Sequence, residues 1–105
     1  MATTIPMAEF QAMYDPAVLL VDVREPDEYA EGHVPGARLI PLGSLPERVG
    51  EIQDQTVYVI CRSGQRSQVG ADLLAALGRT AVSVEEGTMG WIARGGPVVT
   101  GSAPR

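Results

Sequence analysis

Two rhythms of apolar and polar positions alternate along this chain. Ala17–Val23 (AVLLVDV) is a near-continuous run of leucine and β-branched residues, the pattern of a strand buried on both faces. Thr56–Ile60 (TVYVI) is the clearest strand by side-chain type. Ala37–Ile40, bounded by Gly36 and Pro41, and Thr80–Val84 read as two more short strands. Helical segments lie between them. Pro6–Tyr14 has proline in its first turn and Phe10, Met13 and Tyr14 on one face, and Asp15-Pro16 ends it. Pro26–Glu31 is a short polar helix closed by Gly32. Ser44–Val49 is a helical turn with Ser44 as N-cap and Glu47 at the capping-box position. Ser67–Leu77 carries a stripe of Val69, Leu73, Ala76 and Leu77 and stops at Gly78. Thr88–Ala93 is a last short helix, Gly95-Gly96-Pro97 ends the pattern, and the tail from Thr100 is expected to fray.

This alternation predicts an α/β fold: a parallel sheet with helices on both faces. The 105 residues, with no internal repeat, predict one domain over residues 1–105, its core at about 5–100. In such sheets ligands bind outside the carboxyl ends of the strands. Two polar groups occupy such ends: Asp22 and Arg24 after the first clear strand, and Cys61–Ser67 after Thr56–Ile60.

Composition then narrows the chemistry. One cysteine cannot close an internal disulfide, and one cysteine with one histidine cannot build a Cys/His zinc cluster, so neither is expected. Thirteen acids against eight bases, all arginine, give a net charge of −5, and no basic stripe invites nucleic acid. No apolar run approaches the ~20 residues that span a bilayer, and Met1–Tyr14 has neither the basic start nor the apolar run of a secretory signal. The expected compartment is the cytoplasm, where thiols stay reduced. The absence of lysine and asparagine fits a GC-rich coding sequence and hints at a bacterial source.

The segment Cys61-Arg62-Ser63-Gly64-Gln65-Arg66-Ser67 carries the reactive chemistry. A cysteine at a strand exit, before a glycine-centred turn and a helix start, can face several backbone N–H groups and the positive end of the helix. Arg62 and Arg66 raise the local potential. These effects favour thiolate, the nucleophilic form. A cysteine kept only as apolar filler would sit inside a strand or on a helix stripe. The same cradle suits an anion, so Arg62, Ser63, Gly64, Gln65, Arg66 and Ser67 form the candidate substrate-binding loop. Either arginine can meet the donor or merely solvate the rim, and Ser67 can serve the anion or cap the helix. Cysteine phosphatases use Cys-x5-Arg around a phosphate dianion. Here four residues separate Cys61 from Arg66, and Ser67 holds the phosphatase arginine position. The shorter loop favours a smaller group, such as a sulfur atom.

Four stretches carry a family resemblance: Leu20-Val21-Asp22-Val23-Arg24-Glu25, Gly32-His33-Val34-Pro35-Gly36-Ala37, the Cys61–Ser67 loop, and Gly87-Thr88-Met89-Gly90-Trp91. In that order and spacing the chain resembles, over roughly Ile5 to Thr100, a single-domain rhodanese, a sulfurtransferase of the thiosulfate type. The resemblance implies a three-layer α/β/α domain with a mainly parallel five-stranded sheet. It implies that Cys61 takes the outer sulfur of a small anionic donor such as thiosulfate and passes it, through a persulfide, to cyanide or a thiol acceptor. A protein persulfide as donor or acceptor is compatible with it, and no organic cofactor is needed. Asp22 is then a support near the loop, holding a loop arginine or a backbone N–H. Arg24 either pairs with a nearby acid or is solvated. His33 belongs to a structural turn, Trp91 to packing, and Glu85 and Glu86 to the solvated surface. The competing readings are a cysteine phosphatase or arsenate reductase, a non-catalytic persulfide-carrying regulatory module, and a redox sensor that would lack a resolving cysteine.

Overall fold

The structure, a computed structural model, describes residues 2–53 and 55–105. Five strands form one all-parallel sheet: β1 (Thr3–Ile5), β2 (Leu19–Asp22), β3 (Arg38–Leu39), β4 (Val57–Ile60) and β5 (Ala81–Val84), in the order β1-β5-β4-β2-β3. Among the described residues five α-helices cover it: α1 (Met7–Met13), α2 (Pro26–Glu31), α3 (Leu45–Arg48), α4 (Gln65–Ala76) and α5 (Gly87–Ala93). This is the three-layer α/β/α arrangement that the alternating pattern predicts. Among the described residues no helix is long and apolar enough to cross a membrane.

Strand alternation sends successive side chains to opposite faces, and two cores result. Leu19, Val21 and Val23 of the β2 segment, Val57 and Val59 of β4, and Ala81 of β5 pack with Leu45 of α3 and Ala71 and Leu74 of α4. Leu20, Ile60 and Val84 point the other way, against Met7 and Phe10 of α1, Tyr29 of α2 and Trp91 of α5. Each fully buried aliphatic side chain contributes on the order of 1.5–3 kcal/mol. Because β2 and β4 pair with Asp22 opposite Ile60, the residues that follow both strands leave the sheet at one edge.

Several local expectations are corrected. β1 carries no strand signal in sequence; it is a short edge strand whose residues are largely exposed. Helix α4 starts at Gln65, two residues earlier than Ser67, and its buried face is Ser67, Gly70, Ala71 and Leu74. Val69 and Leu77, expected on the apolar stripe, are 57% and 46% exposed. Gly70 is packed closely by the α3 segment: a Cβ there would lie 3.2 Å from Leu45 Cδ1 and 3.4 Å from Leu42 Cδ1, so a small residue fits that face. In α1, Met7 and Phe10 are buried, whereas Met13 is exposed. The capping box is at α2, between Glu25 and Glu28, while Ser44 makes no side-chain cap on α3. The tail expected to fray is tied back by backbone bonds. His33 and Val99 exchange N–H···O bonds at 2.9 Å, Gly101 N–H donates to Ala30 O at 2.8 Å, and Gly36 N–H donates to Pro104 O at 2.9 Å.

Candidate active site

Cys61 is the first residue past β4. It is 1% exposed, and its side chain lies on the α4 side of the sheet. The chain then turns through Gly64, whose φ of +112° is a left-handed value that favours glycine, and enters α4. The turn brings the Gly64 N–H to 3.1 Å from Cys61 Sγ and the Ser67 hydroxyl to 3.5 Å. Burial alone would push the Cys61 thiol up. The Ser67 hydroxyl and the N–H groups of Ser67, Gly64 and Ser63 outweigh that and hold it below the ordinary cysteine value. The loop is therefore a set of donors converging on one sulfur, at the positive end of a 12-residue helix.

Helix α5 fixes the backbone beneath the sulfur. Thr88 donates its N–H and its hydroxyl to the Cys61 carbonyl at 2.8 and 3.1 Å, and Met89 N–H donates to Arg62 O at 3.1 Å. This contact requires glycine at position 87: a Cβ there would stand 2.5 Å from backbone atoms of Cys61 and Arg62, at a φ of +59°.

The two loop arginines differ. Arg62 is exposed, at the rim of a groove of about 200 Å³ between α2 and α5; Thr88, Met89 and Ile92 line it on one side, Glu28 and Glu31 on the other. Arg66, left open between meeting the donor and solvating the rim, turns to α2, where its Nη1 and Nη2 donate to Glu28 Oε1 and Oε2 at 2.7 and 2.9 Å. The Arg66 hydrogen bonds, opposed by burial, hold the Glu28 carboxyl down at about 2. Nothing in the local sequence marks Glu28 as this partner, since 38 residues separate the two. Ser63 and Gln65 are exposed on the loop.

Asp22 does not reach a loop arginine. It is wholly buried and accepts from the N–H of Arg24 at 3.1 Å and from its Nη2 at 2.8 Å, with Nε bridging both carboxylate oxygens. Arg24, itself 5% exposed, also donates from Nη2 to Gly32 O at 2.8 Å. Of the two roles open to Arg24, the acid pair is the one formed. His33 is buried away from Cys61, stacked on Tyr29 at 3.6 Å, with its ring nitrogens 2.7 Å from Tyr29 O and 2.8 Å from Ala103 O. Trp91 packs edge-on to Phe10 and Tyr14 and donates to Pro97 O at 2.7 Å. Ser83 of β5, buried and 2.9 Å from Ser67 Oγ, is a member of the cluster that the loop motif does not contain.

Comparisons with known proteins agree on the family. A family model described as "Rhodanese-like domain" matches residues 7–94. A protein named "Sulfurtransferase" from Allochromatium vinosum is 39% identical over 84 residues, 78% of either chain. The "Putative sulfur carrier protein YrkF" of Bacillus subtilis is 33% identical over 97 residues, 86% of this chain. This chain spans only about half (52%) of YrkF's length. The crystal structure of a rhodanese-related protein from Thermoplasma volcanium superposes with a TM-score of 0.87 at 34% identity, covering 94% of this chain and 99% of that one.

Proposed function

The chain belongs to the rhodanese-like domain family, and on that premise we propose that it is a sulfurtransferase whose Cys61 carries a sulfane sulfur from a small anionic donor to a thiol or cyanide acceptor. The carrying observation is the Gly64 N–H donating to Cys61 Sγ at 3.1 Å, with the Ser67 hydroxyl oxygen 3.5 Å from the same sulfur. A thiolate is stabilised there without a general base.

In the first step the Cys61 thiolate attacks the outer sulfur of thiosulfate. A Cys61 S–S bond forms, the sulfur–sulfur bond of the donor breaks, and sulfite leaves with its electron pair. In the second step the acceptor, cyanide or a thiolate, attacks the terminal sulfur of the persulfide. Thiocyanate or a new persulfide departs, and the Cys61 thiolate returns. Charge balances at each step, so no redox partner is called for. The loop donors hold the negative charge on whichever sulfur carries it, as they would an oxyanion. Exposed Arg62 is the cation that meets the incoming donor, and the groove between α2 and α5 seats the acceptor. Arg66, engaged by Glu28, braces the loop against α2.

The phosphatase reading loses further support from this geometry. Ser67 occupies the position an arginine would need, and the neighbouring guanidinium is turned away to Glu28. The test is the mass of the protein after thiosulfate treatment: one added sulfur atom, removed by cyanide as thiocyanate. Cys61→Ser abolishes both adduct and thiocyanate without loss of the fold. Turnover retained in Cys61→Ser, or turnover of a phenyl phosphate ester or arsenate with none of thiosulfate, overturns the reading.

A further inference from the structure

β5 contains a serine where a buried parallel strand ordinarily holds an aliphatic residue. Ser83 is 1% exposed and faces α4 from between Val82 and Val84. A buried hydroxyl without a partner costs free energy, so its hydrogen bond is informative. Its side-chain partner is Ser67 Oγ, 2.9 Å away. Ser67 Oγ in turn lies 3.1 Å from the Gly64 carbonyl and 3.5 Å from Cys61 Sγ.

Counting protons gives this cluster a direction. Ser67 has one hydroxyl proton and lone pairs to accept two others. When Cys61 is a thiol, Ser67 donates to the Gly64 carbonyl, which can only accept. When Cys61 is a thiolate, the sulfur can only accept, and the single Ser67 proton is wanted there. That rotation is favoured when the Ser67 lone pair already receives a proton from elsewhere. Ser83 is placed to supply it: with the Ser67 proton on the Gly64 carbonyl, the Ser83 hydroxyl is the donor along the 2.9 Å contact.

We propose that Ser83 is a positioning residue for the reactive sulfur: by donating to Ser67 Oγ, it directs the one Ser67 proton onto Cys61 Sγ when the sulfur carries charge. The inference rests on the reading of Cys61 as the reactive sulfur, but it concerns the ionisation of the thiol and not the identity of donor or acceptor. Ser83 touches neither the sulfur nor a substrate, and acts through Ser67 alone.

The experiment is a pH titration of the Cys61 thiolate by its ultraviolet absorbance, which one cysteine per chain makes unambiguous. Ser83→Ala is expected to lower the thiolate fraction below the midpoint pH by about five-fold, the worth of one ordinary hydrogen bond. Ser83→Thr, which keeps the hydroxyl on a β-branched side chain suited to a strand, restores it. Ser67→Ala produces at least the same shift, and adding Ser83→Ala to Ser67→Ala produces no further one. An unchanged midpoint in Ser83→Ala, or shifts that simply add in the double variant, overturns the inference. A lower thermal midpoint with an unmoved thiolate titration assigns Ser83 to packing and overturns it as well. Thiosulfate turnover measured on the same variants keeps the two readings apart. No turnover in wild type, with the titration shifts intact, removes the sulfurtransferase reading and leaves the serine pair. Normal turnover with no titration shift does the reverse.

Discussion

The chain leaves the sheet at the same edge after β2 and after β4, since Asp22 pairs with Ile60, and it solves two different problems there. After β2, Asp22 and Arg24 are both buried and close on each other, with the spare guanidinium bond going to Gly32 O. The opposite charges meet within the protein. After β4, the loop N–H groups, that of Gly64 at 3.1 Å, face a sulfur that is a neutral thiol until it ionises. They are matched to a charge that chemistry creates. Two polar clusters at equivalent ends of neighbouring strands therefore differ: one closes on itself as an ion pair, while the other, on the function proposed above, is preorganised for an anion.

The largest way to break that division is Asp22→Ala. It leaves Arg24 buried with one carbonyl for company, and removing one partner of a buried pair costs about 3–5 kcal/mol. That is a large share of the ~5–15 kcal/mol that stabilises a domain of ordinary size. Urea denaturation measures the loss. Thiosulfate turnover per folded molecule stays within about two-fold, since the pair contributes no donor to the sulfur and the lost stabilisation is that of the frame. A collapse of turnover with stability unchanged would place Asp22 in the reaction and erase the contrast.

Gly64→Ala is the complementary change, with a smaller effect on folding. A Cβ there meets only ordinary contacts, the nearest at 3.5 Å, so its cost is the left-handed backbone, about 1–2 kcal/mol. Relief of that strain moves the N–H away from Cys61 Sγ. Sulfur transfer is expected to fall by about ten-fold or more, the worth of a hydrogen bond to a charged group, while the urea midpoint moves modestly. Equal proportional losses in both would mean that the loop is only a connector.

The two clusters were not equally legible in the sequence. The strands that carry them, Leu19–Asp22 and Val57–Ile60, announce themselves because a buried parallel strand needs unbroken apolar side chains. The bounds of α2 follow from Pro26 and Gly32. The strand exit, glycine turn and helix start around Cys61 are legible because each has its own residue signature. What escaped is whatever depends on distance through space. The partner of Arg66 lies 38 residues away in α2, and the partner of Ser67 lies 16 residues away in β5. Ser83 lies inside Thr80–Val84, which reads only as a strand, and no periodicity says what its hydroxyl faces. The inner face of α4 escaped for a related reason. Hydrophobicity favoured Val69 and Leu77, whereas the close packing of Leu45 and Leu42 against α4 leaves room only for a small residue at Gly70. β1 has only three residues, and its pairing with β5 is set by the sheet edge that receives it.

The smallest expected effect belongs to the contact joining the reactive loop to α2. The Glu28 carboxyl is held at about 2 in the folded protein, chiefly by Arg66, against an unfolded value of ~4.3. A depressed carboxyl stabilises the fold above the unfolded value and loses that contribution as pH falls from ~4.3 through about 2. The side chains of Arg66 and Glu28 are 37% and 26% exposed, so solvent screening limits the contribution to about 1 kcal/mol or less. Wild type and Glu28→Gln are therefore expected to differ slightly in urea stability at pH 7 and to converge as pH falls towards 2, where the wild-type carboxyl is protonated too. The same variant asks which side of the comparison Arg66 belongs to. If the pair braces the loop as Asp22 and Arg24 brace the frame, Glu28→Gln leaves the KM for thiosulfate unchanged and lowers the rate slightly through a looser loop. A KM that drops would show that Glu28 was restraining a donor-binding guanidinium, and would move Arg66 to the anion-seeking side with Arg62.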